Sequence, residues 1–377
     1  LLKSLAERLF PRSAPADALA TVERQRIPSL DGLRGCAVLV VMCSHFDGLF
    51  GITKGNLGVD IFFVLSGFLI TSLLLREIAD TGTVSFANFY ARRVLRLAPA
   101  LLVCVFVFGA IDLAFGIFPR NIILRSIPAA IFYVSNWVRA TDRWNMFEFG
   151  HTWSLAIEEQ FYLIWPIALL FLIGRVRNFT AIFAGVLFLV LAIQVNRYML
   201  VARGAPEMWV SAAFHTRADA IFAGALPAII VAHARISEQF KRLLWLAAPA
   251  GVMVIILVLL LPADYLAWKQ PFVVASVAVI VLHLSSNAGS RMHIAMSADW
   301  LVYTGKISYG LYLYHYPIWY LTVHKFGTAL SVGEKQAIGL FILAPVSYAM
   351  AGMSFKYIET PALLMKERFR SRVTALA

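Results

Sequence analysis

Charge is scarce in this chain: Asp, Glu, Lys and Arg make up 14% of its 377 residues, about half the share of a soluble globular protein. That scarcity excludes water as the main solvent. Cysteine is scarce too. Its three residues, Cys36, Cys43 and Cys104, fall in apolar runs and not in loops, which excludes a secreted disulfide framework and predicts free thiols in packed helices. The lead-in before residue 28 is polar and basic without an apolar centre, so no cleavable signal peptide is expected and the first span anchors itself. A contiguous basic patch is also absent. The formal charge of +12 is spread in twos and threes between apolar blocks, a topology pattern that argues against nucleic acid as a partner.

What is abundant is hydrophobicity, at 60% of residues. Blocks such as 163–174, 179–193 and 249–261 are apolar on nearly every side, so helices built from them need lipid or protein all round. The expected fold is an all-α, polytopic bundle embedded in the bilayer. About ten spans are predicted, near 32–50, 57–78, 96–117, 155–174, 179–200, 211–233, 242–262, 268–286, 301–324 and 335–358. The block 121–138 is weakened by Arg125, Pro128 and Asn136; it is expected at the outer interface, with an eleventh span as the alternative. An N-terminal tail (1–28), a transmembrane domain (29–360) and a C-terminal tail (361–377) follow. With the N-terminus inside, inner segments hold 21 Lys and Arg and outer segments 10, so both tails are predicted to be cytoplasmic. No inverted repeat and no span broken by paired glycines and prolines is evident, which counts against a transporter. Pro166, Pro227 and Pro345 are expected to make local kinks.

Ionisable side chains inside a span cost roughly 3 kcal/mol each and are functional candidates by default. Arg34 and His45 share the first span. Eleven residues at 100° bring them within about 20° of one face, about 16 Å apart along the axis. His45 is a candidate general base, since imidazole titrates nearest neutral pH; a histidine hydrogen-bonded within the bundle is the plainer reading. An arginine near the interface can equally snorkel and mark topology. On this topology Asp60, the pair Glu158 and Glu159, the pair Arg217 and Asp219, and His315 all fall in the outer half, forming with His45 a polar chamber. Arg217 and Asp219 can also serve simply to neutralise charge in the bundle. On the cytoplasmic side Arg93 and Arg96, three apart on one helix face, suit a phosphate group, or the headgroups of anionic lipid.

These residues occur in a characteristic order. Leu30-Asp-Gly-Leu-Arg34 followed by His45 makes an Arg-x10-His pattern. Then come Gly58-Val-Asp-Ile-Phe-Phe-Val-Leu-Ser-Gly67, Arg92-Arg-Val-Leu-Arg-Leu-Ala-Pro99, His151-Thr-Trp-Ser-Leu-Ala-Ile-Glu-Glu-Gln-Phe-Tyr162 and Ile307-Ser-Tyr-Gly-Leu-Tyr-Leu-Tyr-His315. Together, from about 28 to about 358, the chain resembles the acyltransferase-3 family of bacterial membrane O-acyltransferases. The resemblance implies a ten-helix inner-membrane enzyme passing an acyl group, often acetyl, from acyl-coenzyme A to a carbohydrate or other hydroxylated acceptor, without a metal. It implies essential roles for Arg34 and His45, donor contacts for Arg93 and Arg96, and a functional glutamate at Glu158. Some members carry an extra esterase-like domain that completes transfer, so this chain is expected either to act alone or to work with a separate periplasmic transferase.

Resemblance and physical reading meet in one expected mechanism. The arginines hold the coenzyme A phosphates, the pantetheine arm runs along the Arg34–His45 face, and His45 takes the acceptor's proton, its ring oriented by Asp60 or Glu158. Ser44 and Ser66 are candidates for a covalent acyl intermediate, although membrane serines usually bond their own backbone. A proton-coupled transporter would use the same residue types; a sensor or scaffold would not need so many.

Overall fold

The computed structural model describes residues 27–365 except 54, 177, 234, 235, 262–267 and 328. Most of the two expected tails, and the cytoplasmic location assigned to them, lie outside the described residues. The regular elements described are helices and helical turns. Those that frame the site are α1 (Pro28–His45), α2 (Asn56–Thr81), α3 (Phe86–Phe115), α4 (Arg120–Ile131), α5 (Ser135–Ala140), α6 (Trp153–Arg175), α7 (Phe179–Ala202), α8 (Asp219–His233), α9 (Glu238–Leu260), α10 (Gln270–Ser286), α11 (Asp299–Lys306), α12 (Ser308–Phe326) and α13 (Ala344–Ser354). A 3-10 turn, Phe147–Thr152, leads into α6. Helix starts follow local chemistry: Asn178 accepts from the Thr180 amide to cap α7, and Ser237 accepts from that of Phe240 to cap α9, each satisfying an orphan donor.

The expected spans fall largely on helix among the described residues. Among the described residues six helical runs are long and apolar enough to cross a bilayer: Asn56–Thr81, Phe86–Phe115, Phe147–Arg175, Phe179–Ala202, Glu238–Leu260 and Val332–Met365. Helices α8 and α10 are apolar but shorter. The chain is a multi-pass membrane protein. Among the expected spans, 32–50 leaves its α-helix at His45 for a turn and the 3-10 turn Leu49–Gly51, and two more are not single helices. The segment 301–324 breaks at Ile307, between α11 and α12. The segment 211–233 breaks into Glu207–Ala212, Phe214–Arg217 and α8, with Ala213 extended at ψ 142°. No proline or glycine marks the second break. Just after it the Thr216 carbonyl accepts from Arg197 Nη1 at 2.7 Å, the kind of partner that a carbonyl left without a helical donor needs in a membrane.

The described chain divides into two compact units. The first comprises the residues through Ala37, Val59–Val84 and Glu158–Gly305; the second comprises Val38–Gly58, Ser85–Ile157 and the residues from Lys306 onward. In the first unit α2 and α8 touch backbone to backbone. A Cβ on Gly67 would lie 1.8 Å from the Ile221 carbonyl oxygen, and one on Gly224 would lie 2.0 Å from that of Val64. Asp60, seven residues before Gly67, pairs with Arg217, seven before Gly224, so the chains through this contact run parallel. Helix α6 also runs parallel to α2: Ser66 donates to Glu158 and, further along both, Trp165 Nε1 donates to Thr71 Oγ1.

The segment 121–138 falls on helices α4 and α5, split at Tyr133 with φ 54°. At 12 residues α4 reaches only about 18 Å, short of the hydrocarbon thickness of about 30 Å. In the second unit α3 and α12 run parallel, since the Tyr309 hydroxyl donates to the Leu97 carbonyl and, further along both, Cys104 donates to the Leu313 carbonyl.

Adding one methyl at the α2–α8 contact forces the two backbones apart. We expect Gly67→Ala to destabilise the detergent-solubilised protein by about 1–3 kcal/mol, in the range of overpacked cores, read as a lowered thermal-unfolding midpoint. A midpoint equal to wild type would mean that these helices do not meet at Gly67.

Candidate active site

The polar residues picked out in the sequence fall into two sets, one in each unit. In the first unit Asp60 and Arg217, both fully buried, form an ion pair of 2.9 Å. Asp219 pairs with Arg197 at 2.8 Å, again with both side chains buried. Gln270 joins the two, donating to Asp60 at 3.4 Å and accepting from Arg197. Arg197 is thus a correction: counted as an outer-segment cation, it is a buried member of this network. Ser66 Oγ donates to Glu158 Oε1 at 2.8 Å, and Glu159 follows it on α6. Arg34 lies near Asp31, its Nη1 3.7 Å from Oδ1. Charges buried this way must be matched one for one, and the network matches two arginines with two aspartates.

The second unit holds the histidines. Helix α1 ends at His45, whose Nδ1 lies 2.8 Å from His315 Nε2 on α12. On its other side His315 Nδ1 lies 2.7 Å from the Leu311 carbonyl oxygen, one turn back along α12. A carbonyl only accepts, so His315 carries its proton on Nδ1 and, when neutral, offers a lone pair at Nε2. His45 Nδ1–H then donates to that lone pair, and the neutral ring keeps a lone pair at Nε2. One backbone carbonyl thereby fixes the tautomers of two rings. His315 is fully buried and His45 partly exposed, so the chain of contacts ends on the more accessible of the two rings. The carboxylate expected to orient His45 is replaced at this position by a second imidazole.

His151, on the 3-10 turn, completes the group. Its ring centroid lies 6.1 Å from that of His315 and 5.0 Å from that of Tyr316, which itself lies 4.6 Å from His45. The Tyr312 hydroxyl donates to the His151 carbonyl at 2.8 Å and lies 2.5 Å from Ser154 Oγ, so one α12 tyrosine pins the turn. His151 is buried with the Glu148 and Leu313 backbone beside its ring, and Glu148, three residues earlier, is fully buried beside Asp112. Asp112, next to Glu148, accepts from the Phe118 amide at 2.9 Å through one oxygen. The imidazoles do not converge as metal ligands would, and among the described residues no three His, Cys, Asp or Glu side chains do.

Sequence reasoning singled out neither His151, Glu148 nor Asp112 as a site residue. Asp112 lies inside the expected span 96–117, so the cost of a membrane carboxylate was signal enough. Glu148 and His151 precede the expected start of the fourth span and read as loop residues. Only the tertiary packing of that turn against α12 buries them. At the start of α3, Arg93 is largely buried with its guanidinium over the Phe89 ring, 5.9 Å from the centroid. Arg96, one turn on, lies within electrostatic reach of Glu359. Cys36, Cys43 and Cys104 are free thiols, as expected.

A profile of the family described as an acyltransferase domain matches residues 27–354. The chain belongs to the acyltransferase-3 family. Among relatives, the peptidoglycan O-acetyltransferase OatA of Listeria monocytogenes is 33% identical, the match covering 90% of this chain and 56% of that protein. The O-acetyltransferase OatA of Staphylococcus aureus is 32% identical over 92% of this chain and 58% of its own length. A putative O-acetyltransferase of Staphylococcus aureus is 32% identical over 89% and 57%. The chain spans a little over half the length of these relatives. No solved structure matches it significantly.

The ion-pair network yields a test of its structural weight. Arg217→Met leaves a buried Asp60 charge without its arginine and is expected to cost about 3–5 kcal/mol. The double variant Asp60→Asn, Arg217→Met removes that charge as well and is expected to regain a large part of the loss. Equal midpoints for the single and double variants in thermal unfolding would show that the pair carries no such weight.

Proposed function

We propose that this chain is the membrane domain of an O-acyltransferase that moves an acyl group, acetyl in the first instance, from acyl-coenzyme A to a hydroxyl of a cell-envelope or exported carbohydrate, with His45 as general base. The observation that carries the reading is the chain of contacts Leu311 carbonyl, His315, His45, which leaves a lone pair at Nε2 of a partly exposed ring. Family membership and the O-acetyltransferase names of the relatives support the same chemistry. Those names also support a carbohydrate acceptor, since the Listeria relative is named for peptidoglycan.

In the proposed step, His45 Nε2 accepts the proton of the acceptor hydroxyl while its oxygen forms a bond to the thioester carbonyl carbon. The carbon–sulfur bond then breaks, and the proton passes from His45 to the departing thiolate. His315 is a positioning residue. It holds the His45 ring and shares the charge that the ring gains, the part that a carboxylate plays in hydrolase triads. Arg93 and Arg96 are assigned to the phosphates of the donor, whose charge and planar contacts suit guanidinium, and Arg34 to its arm. Asp60 and Glu158, hydrogen-bonded to Arg217 and Ser66, are assigned to organising the polar interior of their own unit together with Asp219. The bacterial inner membrane is the location that fits a cytoplasmic donor and an envelope acceptor.

Purified protein in nanodiscs, given acetyl-coenzyme A and soluble envelope glycans, is expected to release free thiol. His45→Ala is expected to lower that rate by about 10²–10⁴-fold, the usual contribution of a placed base. Loss of thiol release in Arg93→Ala and Arg96→Ala should appear mainly as a raised KM for the donor. Release equal in wild type and His45→Ala would overturn the assignment of the base. For the relay, His315→Ala is expected to lower kcat, whereas His315→Gln, which retains an acceptor for His45 Nδ1–H, should recover part of it. Equal rates for the two variants would show that His315 only fills space.

A further inference from the structure

The proposed transfer step leaves one charge without a partner. As the acceptor oxygen attacks the thioester, the carbonyl oxygen gains negative charge. Neither imidazole of the relay is placed to carry it, since His45 Nε2 takes the proton and His315 Nε2 is engaged by His45 Nδ1. Around the base the second unit brings Tyr316, its ring centroid 4.6 Å from that of His45, and His151, 5.0 Å from Tyr316. Arg139, on α5, lies within electrostatic reach of both His45 and Tyr316, so its guanidinium belongs to the same cluster.

Local structure holds Arg139 there. Ser135, Asn136, Val138 and Ala140 are buried, so α5 is sunk into the unit around it. The helix closes in a defined turn: the Asp142 amide donates to the Arg139 carbonyl at 3.1 Å, that of Arg143 to the Val138 carbonyl at 3.2 Å, and Thr141 Oγ1 to the Trp137 carbonyl at 2.7 Å. The Arg139 guanidinium lies over the ring of Trp153, 5.6 Å from its centroid. Trp153 is buried and follows His151 by two residues, so this cation–π contact anchors the charge beside the turn that carries His151. An arginine that only marks topology runs its head out to water; this one is half-buried, with Nε shielded from solvent. A fixed positive charge beside a ring that must gain a proton works against the base unless negative charge develops close by in the same step. Guanidinium carries five N–H donors in a planar fork, so Arg139 can keep its protein contacts and still present a donor to a carbonyl oxygen.

We infer that Arg139 is the oxyanion partner of this enzyme: it donates to the carbonyl oxygen of the acyl thioester as that oxygen gains charge, while His45 Nε2 takes the acceptor's proton. The inference rests on the acyltransferase reading and deepens it by adding a second catalytic residue. As the new carbon–oxygen bond forms, the carbonyl π pair moves onto its oxygen; it returns when the carbon–sulfur bond breaks and the thiolate leaves. Arg139 holds the charge in between and exchanges no proton. A donor preset at a developing oxyanion is typically worth about 10²–10³-fold in rate.

Two readouts on nanodisc-embedded protein test this. One is thiol release in the presence of envelope glycans; the other, without acceptor, is the infrared stretch of bound acetyl-coenzyme A isotope-labelled at its carbonyl carbon. In wild type the bound carbonyl is expected to vibrate below its frequency in water, polarised by the guanidinium. Arg139→Gln is expected to abolish most of that shift and to lower kcat by about 10²–10³-fold, with KM for the donor changed less than about threefold, the pattern of an interaction made in the transition state. Arg139→Lys, which keeps a cation over Trp153, is expected to fall between the two in both readouts, and it carries the test where Arg139→Gln does not fold. Wild-type kcat in the variant that folds, or a raised KM at unchanged kcat, would overturn the assignment. His45-dependent thiol release with no carbonyl shift in wild type would likewise remove Arg139 while leaving the transferase reading intact. An Arg139-dependent carbonyl shift without His45-dependent thiol release would keep Arg139 as the carbonyl's partner and remove the transferase reading.

Discussion

Inside a bilayer every buried donor, acceptor and charge must find its partner within the protein, because hydrocarbon supplies none. The two polar clusters of this chain are two solutions to that constraint. In the first unit, charges are cancelled: Arg217 against Asp60, Arg197 against Asp219, with Gln270 bridging them. The requirement reaches the backbone, where α8 is preceded by a break and the Thr216 carbonyl just after it accepts from Arg197. In the second unit, the partners are neutral imidazoles and a carbonyl, and satisfaction runs in one direction. Leu311 satisfies His315, His315 satisfies His45, and His45 is left with one unsatisfied lone pair.

That difference separates structure from chemistry. A cancelled ion pair offers substrate no open valence, however conspicuous its residues are in sequence. A directed chain of hydrogen bonds ends on an atom whose demand remains open, and such an atom can take a proton. His151 and Glu148 lie on the turn packed against α12, buried among its side chains. Around this centre the aromatic side chains of α12 take both supporting roles: Tyr312 pins the 3-10 turn that carries His151, and Tyr316 lies against His45 and His151.

Close approach of backbones makes this packing possible. Where α2 meets α8, glycines on both sides let carbonyls come within a distance that no Cβ would allow, which is how small residues promote association in the absence of a hydrophobic drive between helices. The parallel course of α2, α6 and α8 is a consequence of where those glycines and the Asp60–Arg217 pair fall along each helix.

Much of this was legible in the sequence because burial in lipid leaves a one-dimensional record. Apolar runs of helical length placed the expected spans largely on helices, the penalty on membrane charges selected His45, Asp60, Arg217, Asp219 and His315, and ordered motifs identified the family. What partners those residues take was not legible. Depth along a helix can be estimated from residue number, but which helix lies beside which is decided by side-chain packing across hundreds of residues. So His45 was expected beside a carboxylate and has His315, 270 positions away, while Asp60 went to Arg217. Residues such as Glu148 and His151, in a turn just ahead of a span, carry no apolar context to betray burial; only the fold of that turn against α12 removes them from water. The sequence by itself determined that this is a helical membrane chain of the acyltransferase-3 family with a histidine inside its first span. The tertiary structure alone decided which nitrogen of that histidine holds the proton.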